Sequence, residues 1–180
     1  MKNIVLIIKG GYVMTTKELE NALYNHLWHK GWFGVFECAI PKCLCRKKRR
    51  ERVDMLTYEL NGVWRCIELK VSKTDLHSNN ALSFFGNYNY LAIPEELYND
   101  AVEMLPRDIG IYVACKENNE WKIELRRNPR KRELLCSHED MMIAFVQALS
   151  REYKKYRKIK EKEDSSSKKS TKKNKKNKTN

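Results

Sequence analysis

Two runs decide the fold: Arg52-Val53-Asp54-Met55-Leu56-Thr57-Tyr58-Glu59 and Val63-Trp64-Arg65-Cys66-Ile67-Glu68-Leu69-Lys70-Val71, separated by Leu60-Asn61-Gly62. Both are rich in β-branched, aromatic and aliphatic residues, and Asn-Gly between such runs is a strong hairpin signal. Side chains alternate along a strand, so Glu68 and Lys70 share one face while Ile67, Leu69 and Val71 share the other. Closing the hairpin at Asn61-Gly62 brings Asp54, an acid in an apolar run, alongside Glu68. Two carboxylates at one spot repel, and a bridging divalent cation relieves that repulsion.

Upstream, Thr15-Thr16-Lys17-Glu18 reads as a capping box. Leu19, Leu23 and Leu27 recur at helical spacing, and Gly31 closes that helix. Residues 32–40 read as a strand and 41–50 as a basic, cysteine-containing turn. Downstream, 73–80 suits a turn and a short helix, and 89–93 a fourth strand. Pro94 opens a helix whose apolar stripe is Leu97, Ala101 and Met104. Residues 109–115 are nearly all apolar, as in a strand buried on both faces. A last strand spans 121–126. A final helix starts near Ser137, with Met142, Phe145, Val146, Leu149 and Tyr153 as its buried side. The elements alternate as in one α/β domain.

The chain has 180 residues, the size of one domain, with a net charge of +13. Of that excess, +10 lies from Arg151 onward, leaving +3 for residues 1–150. Residues 165–180 hold only Ser, Thr, Asn and Lys, so 157–180 reads as a disordered lysine-rich tail with affinity for polyanions. The domain then occupies 15–156. Residues 1–14 read as a leader outside it. Lys9-Gly10-Gly11 can be encoded as a ribosome-binding sequence ahead of a start at Met14. The competing reading makes Ile4 to Ile8 a strand on a sheet edge. No run approaches the roughly 20 apolar residues that span a bilayer, and no signal peptide is legible. A cytoplasmic protein without membrane attachment is expected, its six cysteines reduced. Cys38, Cys43, Cys45 and Cys136 lack a Cys-X-X-Cys pair, which makes a metal cluster on them a minor reading.

Hard oxygen ligands from Asp54 and Glu68 select Mg²⁺ or Mn²⁺. Such an ion polarises a phosphodiester and acidifies a bound water, and Lys70 is placed to orient that water or to steady the phosphorane. Glu-X-Lys alone is common on surface hairpins; its weight comes from the embedded Asp54. Glu20, at the edge of the leucine stripe, is either a further acid of the site or a solvated residue. Arg46, Lys47, Lys48, Arg49 and Arg50 lie just before the strand bearing Asp54, where a DNA backbone would pass. Arg126, Arg127, Arg130, Lys131 and Arg132 form a second candidate patch. Ser72 continues the Glu68–Lys70 face and either binds a phosphate or caps the next turn. Tyr88 and Tyr90 either stack on an unpaired base or pack in the core.

Val53-Asp54 followed by Ile67-Glu68-Leu69-Lys70-Val71-Ser72 resembles the core of PD-(D/E)XK nucleases, with Val53 in place of the proline. Glu20 and Gly31 match the spacing of a first-helix glutamate in archaeal Holliday-junction resolvases. Residues 82–94 look like the MmcB-like DNA-repair nucleases and related phage proteins. The resemblance covers roughly residues 15–127. It implies a restriction-endonuclease-like core, a mixed central sheet flanked by helices. It also implies a metal held by Asp54, Glu68 and the Leu69 carbonyl, with Lys70 as catalytic lysine. The expected activity is metal-dependent DNA cleavage in repair, recombination or phage DNA processing, with RNA as an alternative substrate. A DNA-binding module without activity is the other alternative. Resolving a four-way junction would further require a symmetric homodimer.

Overall fold

The computed structural model describes residues 13–39, 52–78, 82 and 84–176, with side chains up to Glu163. In chain order the elements are α1 (Thr16–Trp28), β1 (Phe33–Ala39), β2 (Arg52–Tyr58), β3 (Trp64–Leu69), α2 (Lys73–Leu76), β4 (Tyr88–Pro94), α3 (Tyr98–Met104), β5 (Gly110–Glu117), β6 (Glu120–Arg127) and α4 (His138–Lys176). The strands form one six-stranded sheet in sequence order. It is mixed: β3, β4 and β5 run parallel, while the β1–β2, β2–β3 and β5–β6 pairs are antiparallel. This is the α/β class, a mixed sheet with helices on both faces.

α1 begins where its capping box places it. The Glu18 amide donates to the Thr15 hydroxyl (3.3 Å), and the Thr15 amide donates to Oε2 of Glu18 (2.9 Å). Gly31, at φ +69°, lets the chain leave the helix in the left-handed region. Leu19, Leu23 and Leu27 are buried against Met55, Ile67, Leu69, Tyr90, Ala92 and Tyr112. Each contributes about 1.5–3 kcal/mol by leaving water. The β2–β3 turn closes with the Gly62 amide on the Glu59 carbonyl (2.9 Å), and Gly62 takes φ +85°.

The opposite face carries two cores. α4 covers Val35, Val53, Leu56, Trp64 and Cys66, whereas α2 and α3 supply Leu76, Ala101 and their neighbours over Leu91, Ile93, Ile111 and Val113. β3 is therefore buried on both faces along its whole length. Pro94 ends β4 instead of opening a helix; a 3₁₀ turn, Glu95–Leu97, intervenes before α3. Asn87 and Asn89 order the entry to β4. The Asn87 side-chain Oδ1 accepts from the Trp64 amide (2.9 Å), and buried Asn89 bonds both polar groups of the Gly86 backbone at 3.0 Å.

Three expectations are corrected. The buried face of α4 is Met141, Ala144, Phe145 and Ala148, with Met142 partly buried, while Val146, Leu149 and Tyr153 are exposed. The small Ala144 and Ala148 let the helix approach the sheet closely, whereas the larger apolar residues fall on a neighbouring stripe. The helix also continues to Lys176, where a disordered tail was expected from 157. Lys, Arg and Glu are strong helix formers, and Glu152–Lys155 (2.9 Å) and Arg157–Glu161 (3.4 Å) pair along it. Finally, Met14 is buried in the α1 core, so the domain includes it; the leader and the edge-strand reading of residues 4–8 lie outside the described residues.

Candidate active site

At Asp54 the β2–β3 ladder stops. Its last pair is Met55 with Ile67, and one step further the Asp54 side chain takes over the role of a strand carbonyl: its Oδ2 accepts from the Leu69 amide at 2.8 Å. The other side of β2 is irregular at the same level. β1 pairs Phe36 with Met55 and Cys38 with Val53, and Glu37 between them sits at φ +54°, a conformation that costs a non-glycine residue about 1 kcal/mol or more. Val53 and Leu56 enter the α4 core while Met55 enters the α1 core, so β2 turns over at Asp54. Arg151 of α4 holds the bend, its Nη2 donating to the Phe36 and Glu37 carbonyls (3.2 and 2.8 Å).

Glu68 and Lys70 follow the strand alternation, but the face they share is no open surface. They are 5% and 7% exposed, because β3 is central and both neighbouring cores crowd it. The Glu68 carboxyl lies against that of Asp54 and helps to hold its pKa down; two adjoining acids are best accommodated by sharing a proton or by a cation between them. Lys70 Nζ donates to Oδ1 of Asp75 at 3.0 Å. Ser72 caps α2, its hydroxyl accepting from the Asp75 amide at 3.2 Å. Burial pushes the Asp54 carboxyl above the usual carboxylate range and Glu37 pushes the same way; the Leu69 amide, Glu68 and Lys70 pull it back. With all four ionised, Asp54, Glu68 and Asp75 outnumber Lys70 by two charges.

The other expected residues divide cleanly. Glu20 pairs with Lys17 at 2.8 Å, and among the described residues no third His, Cys, Asp or Glu joins Asp54 and Glu68 in a metal-holding group. Glu20 is thus not brought to the pair. Arg46, Lys47, Lys48, Arg49 and Arg50 lie outside the described residues. The second basic patch is largely spent on the scaffold: Arg126 pairs with Glu95 (2.6 Å), Arg127 donates to the Ile109 and Pro106 carbonyls (2.8 and 3.1 Å), and Arg132 pairs with Asp108. Tyr90 is buried and stacks on Tyr112, centroids 4.8 Å apart, which is the core reading. Cys38, Cys66, Cys115 and Cys136 carry free thiols, and burial pushes that of Cys38 up to about 12. Asp75 has the residue type of a helix cap, yet Ser72 takes that role and Asp75 instead holds Lys70. Glu37 was missed and has no signal in the sequence, because its relation to Asp54 comes from the β1 irregularity.

No protein-family model matches the chain, and no curated protein does. Among solved structures it is similar to the SPO1766 protein of unknown function from Silicibacter pomeroyi, with a TM-score of 0.59 at 20% identity over 78% of this chain and 90% of that one. At this identity the likeness speaks to the fold alone. Among the described residues, no helix is long and apolar enough to cross a membrane.

Proposed function

We propose that this domain is a Mg²⁺- or Mn²⁺-dependent DNA nuclease with a restriction-endonuclease-like core of the PD-(D/E)XK kind. One contact carries the reading: the Asp54 carboxylate receives the amide of Leu69, the residue between Glu68 and Lys70. That bond ties the three side chains of the short motif into one place, which a chance Glu-X-Lys on a surface hairpin does not require.

The residues fit a small hard cation. Two adjoining carboxyls, one raised in pKa by burial, form an oxygen site with excess negative charge. Mg²⁺ is commonly held by one or two carboxylates and keeps several waters, so a third protein acid is not needed. Asp54 and Glu68, with the Leu69 carbonyl, would hold it. When bound, the ion supplies Lewis-acid stabilisation of a phosphodiester and acidifies water.

The chain's own groups do the rest. Asp54, fixed by the Leu69 amide, orients the pair without a mobile loop. Lys70 is held by Asp75 on the Glu68 side of the strand, where its ammonium orients a water or steadies a phosphorane. Arg46 to Arg50, which precede β2 in the sequence, would receive the DNA backbone without reading bases.

The test is a substrate panel with Mg²⁺ or Mn²⁺: duplex, single-stranded, flapped and four-way DNA, with RNA counterparts. Metal-dependent cleavage of DNA supports the reading. Cleavage confined to RNA would reassign the substrate, and no hydrolysis of any member would leave a binding module.

A further inference from the structure

α4 leaves a row of large apolar side chains in water. Val146 is 53% exposed, Leu149 42%, Tyr153 61% and Tyr156 57%, and Met142 at the head of the row is only partly buried. Their positions advance by alternating steps of four and three residues. That is the 3.5-residue repeat of a coiled-coil seam, distinct from the face Met141, Ala144, Phe145 and Ala148 that meets the sheet. From Met142 to Tyr156 the seam is about 21 Å long at 1.5 Å per residue. The next position in the repeat is Lys160, where the apolar run ends.

We propose that α4 pairs with α4 of a second copy of this chain, antiparallel, along Met142, Val146, Leu149, Tyr153 and Tyr156. Charge decides the direction. The first turn of α4 is acidic, with Glu139 and Asp140; at the other end of the seam Lys154, Lys158 and Lys160 stand outside the Glu152–Lys155 and Arg157–Glu161 pairs, ahead of the mixed Lys162, Glu163 and Asp164. A parallel pair would set the two basic stretches side by side. An antiparallel pair sets each acidic turn against the partner's basic stretch, which steers and fixes the register. A bare lipid surface would not use the acidic turn, and DNA would not use the apolar seam. The inference stands on α4 alone and is independent of the cleavage chemistry.

The experiment is sedimentation velocity on the full chain from ~1 to ~100 μM, a range that brackets an ordinary transient to stable dimer. The parent should sediment as a dimer, and Val146→Glu with Tyr153→Glu should sediment as a monomer, with Kd raised about a hundredfold or more. Both positions are exposed in the single chain, so the variant's far-UV circular dichroism should match the parent's, and its thermal midpoint should equal that of the parent diluted to monomer. Glu139→Lys should weaken the dimer and adding Lys158→Glu should restore it. A parent that is monomeric throughout overturns the pairing, including one that binds anionic vesicles through the same residues. So does a dimer that survives the double glutamate substitution. Failure of Lys158→Glu to rescue overturns the antiparallel arrangement.

Discussion

Substituting Asp54 in two ways should move stability in opposite directions. In the folded chain Asp54 does two things: it accepts the Leu69 amide at 2.8 Å, and it places a charge beside Glu68 in a half-buried position. Asparagine keeps the first and removes the second, because its carbonyl oxygen can accept from Leu69 while its amide donates to Glu68. Alanine loses the acceptor and strands a buried amide, at a cost of about 1–3 kcal/mol. Removing the unfavourable half-buried charge should stabilise the asparagine variant relative to the parent. For a domain of this size, 1 kcal/mol corresponds to about 2–4 °C in Tm. Metal-free Asp54→Asn should therefore melt above the parent, and Asp54→Ala several degrees below it.

The pH dependence follows from the raised pKa. A carboxyl whose folded value lies above its unfolded one contributes stability that is full below the ordinary range, near ~4, and lost as pH rises through the folded value. The gap between Asp54→Asn and the parent should be small at about pH 4 and open on the way to neutrality. Mg²⁺ or Mn²⁺ should then close it from the parent's side only, by about 2.7 kcal/mol at a hundred times its Kd. Calorimetry at several pH values, with EDTA and with metal, measures all of this. An asparagine variant that melts below the parent in EDTA at neutral pH would refute the picture of two crowded acids awaiting a cation.

Lys70→Ala should slow cleavage by about 10²–10⁴-fold with little change in DNA affinity, and Asp75→Asn should slow it less; single-turnover rates and fluorescence anisotropy separate the two effects. Gly86→Ala should destabilise strongly, since an added Cβ would lie 3.0 Å from both the Cys66 amide nitrogen and the Trp64 carbonyl oxygen, and urea denaturation would show it in the midpoint. Deleting the residues after Glu163 should weaken DNA binding on every sequence alike and flatten its salt dependence by up to ~0.9 in slope per lost phosphate contact; binding isotherms at four salt concentrations decide it.

The scaffold was legible in the sequence wherever a local rule governed it. The Thr15 capping box, the Leu19–Leu23–Leu27 stripe, the Asn61-Gly62 turn and the apolar run of β5 each announce one element, and their order is the observed order. Local rules failed where packing decided between alternatives. On α4 the large residues at 146, 149 and 153 outvoted the small alanines that in fact meet the sheet, because periodicity weighs size and not closeness of approach. Composition argued for a tail from 157, yet α4 runs past that point, and as far as Glu161 the Lys, Arg and Glu residues and their ion pairs favour it. At the site, alternation placed Glu68 and Lys70 on one face, and the hairpin placed Asp54 beside them. The bond from Asp54 to the Leu69 amide was not legible, since it depends on the ladder ending one residue early. Glu37 and its left-handed backbone are equally invisible, as is the grip of Arg151 more than a hundred residues away.

The most direct test sets the parent and Glu68→Gln side by side in single-turnover cleavage of one labelled DNA, each with Mg²⁺ and with EDTA. Glutamine matches glutamate in size and can hydrogen-bond to Asp54, so folding and DNA binding serve as internal controls. The account predicts cleavage by the parent only when metal is present, and a rate for Glu68→Gln lower by about a hundredfold or more. Equal rates for the two proteins, or cleavage by the parent that persists in EDTA, would contradict it.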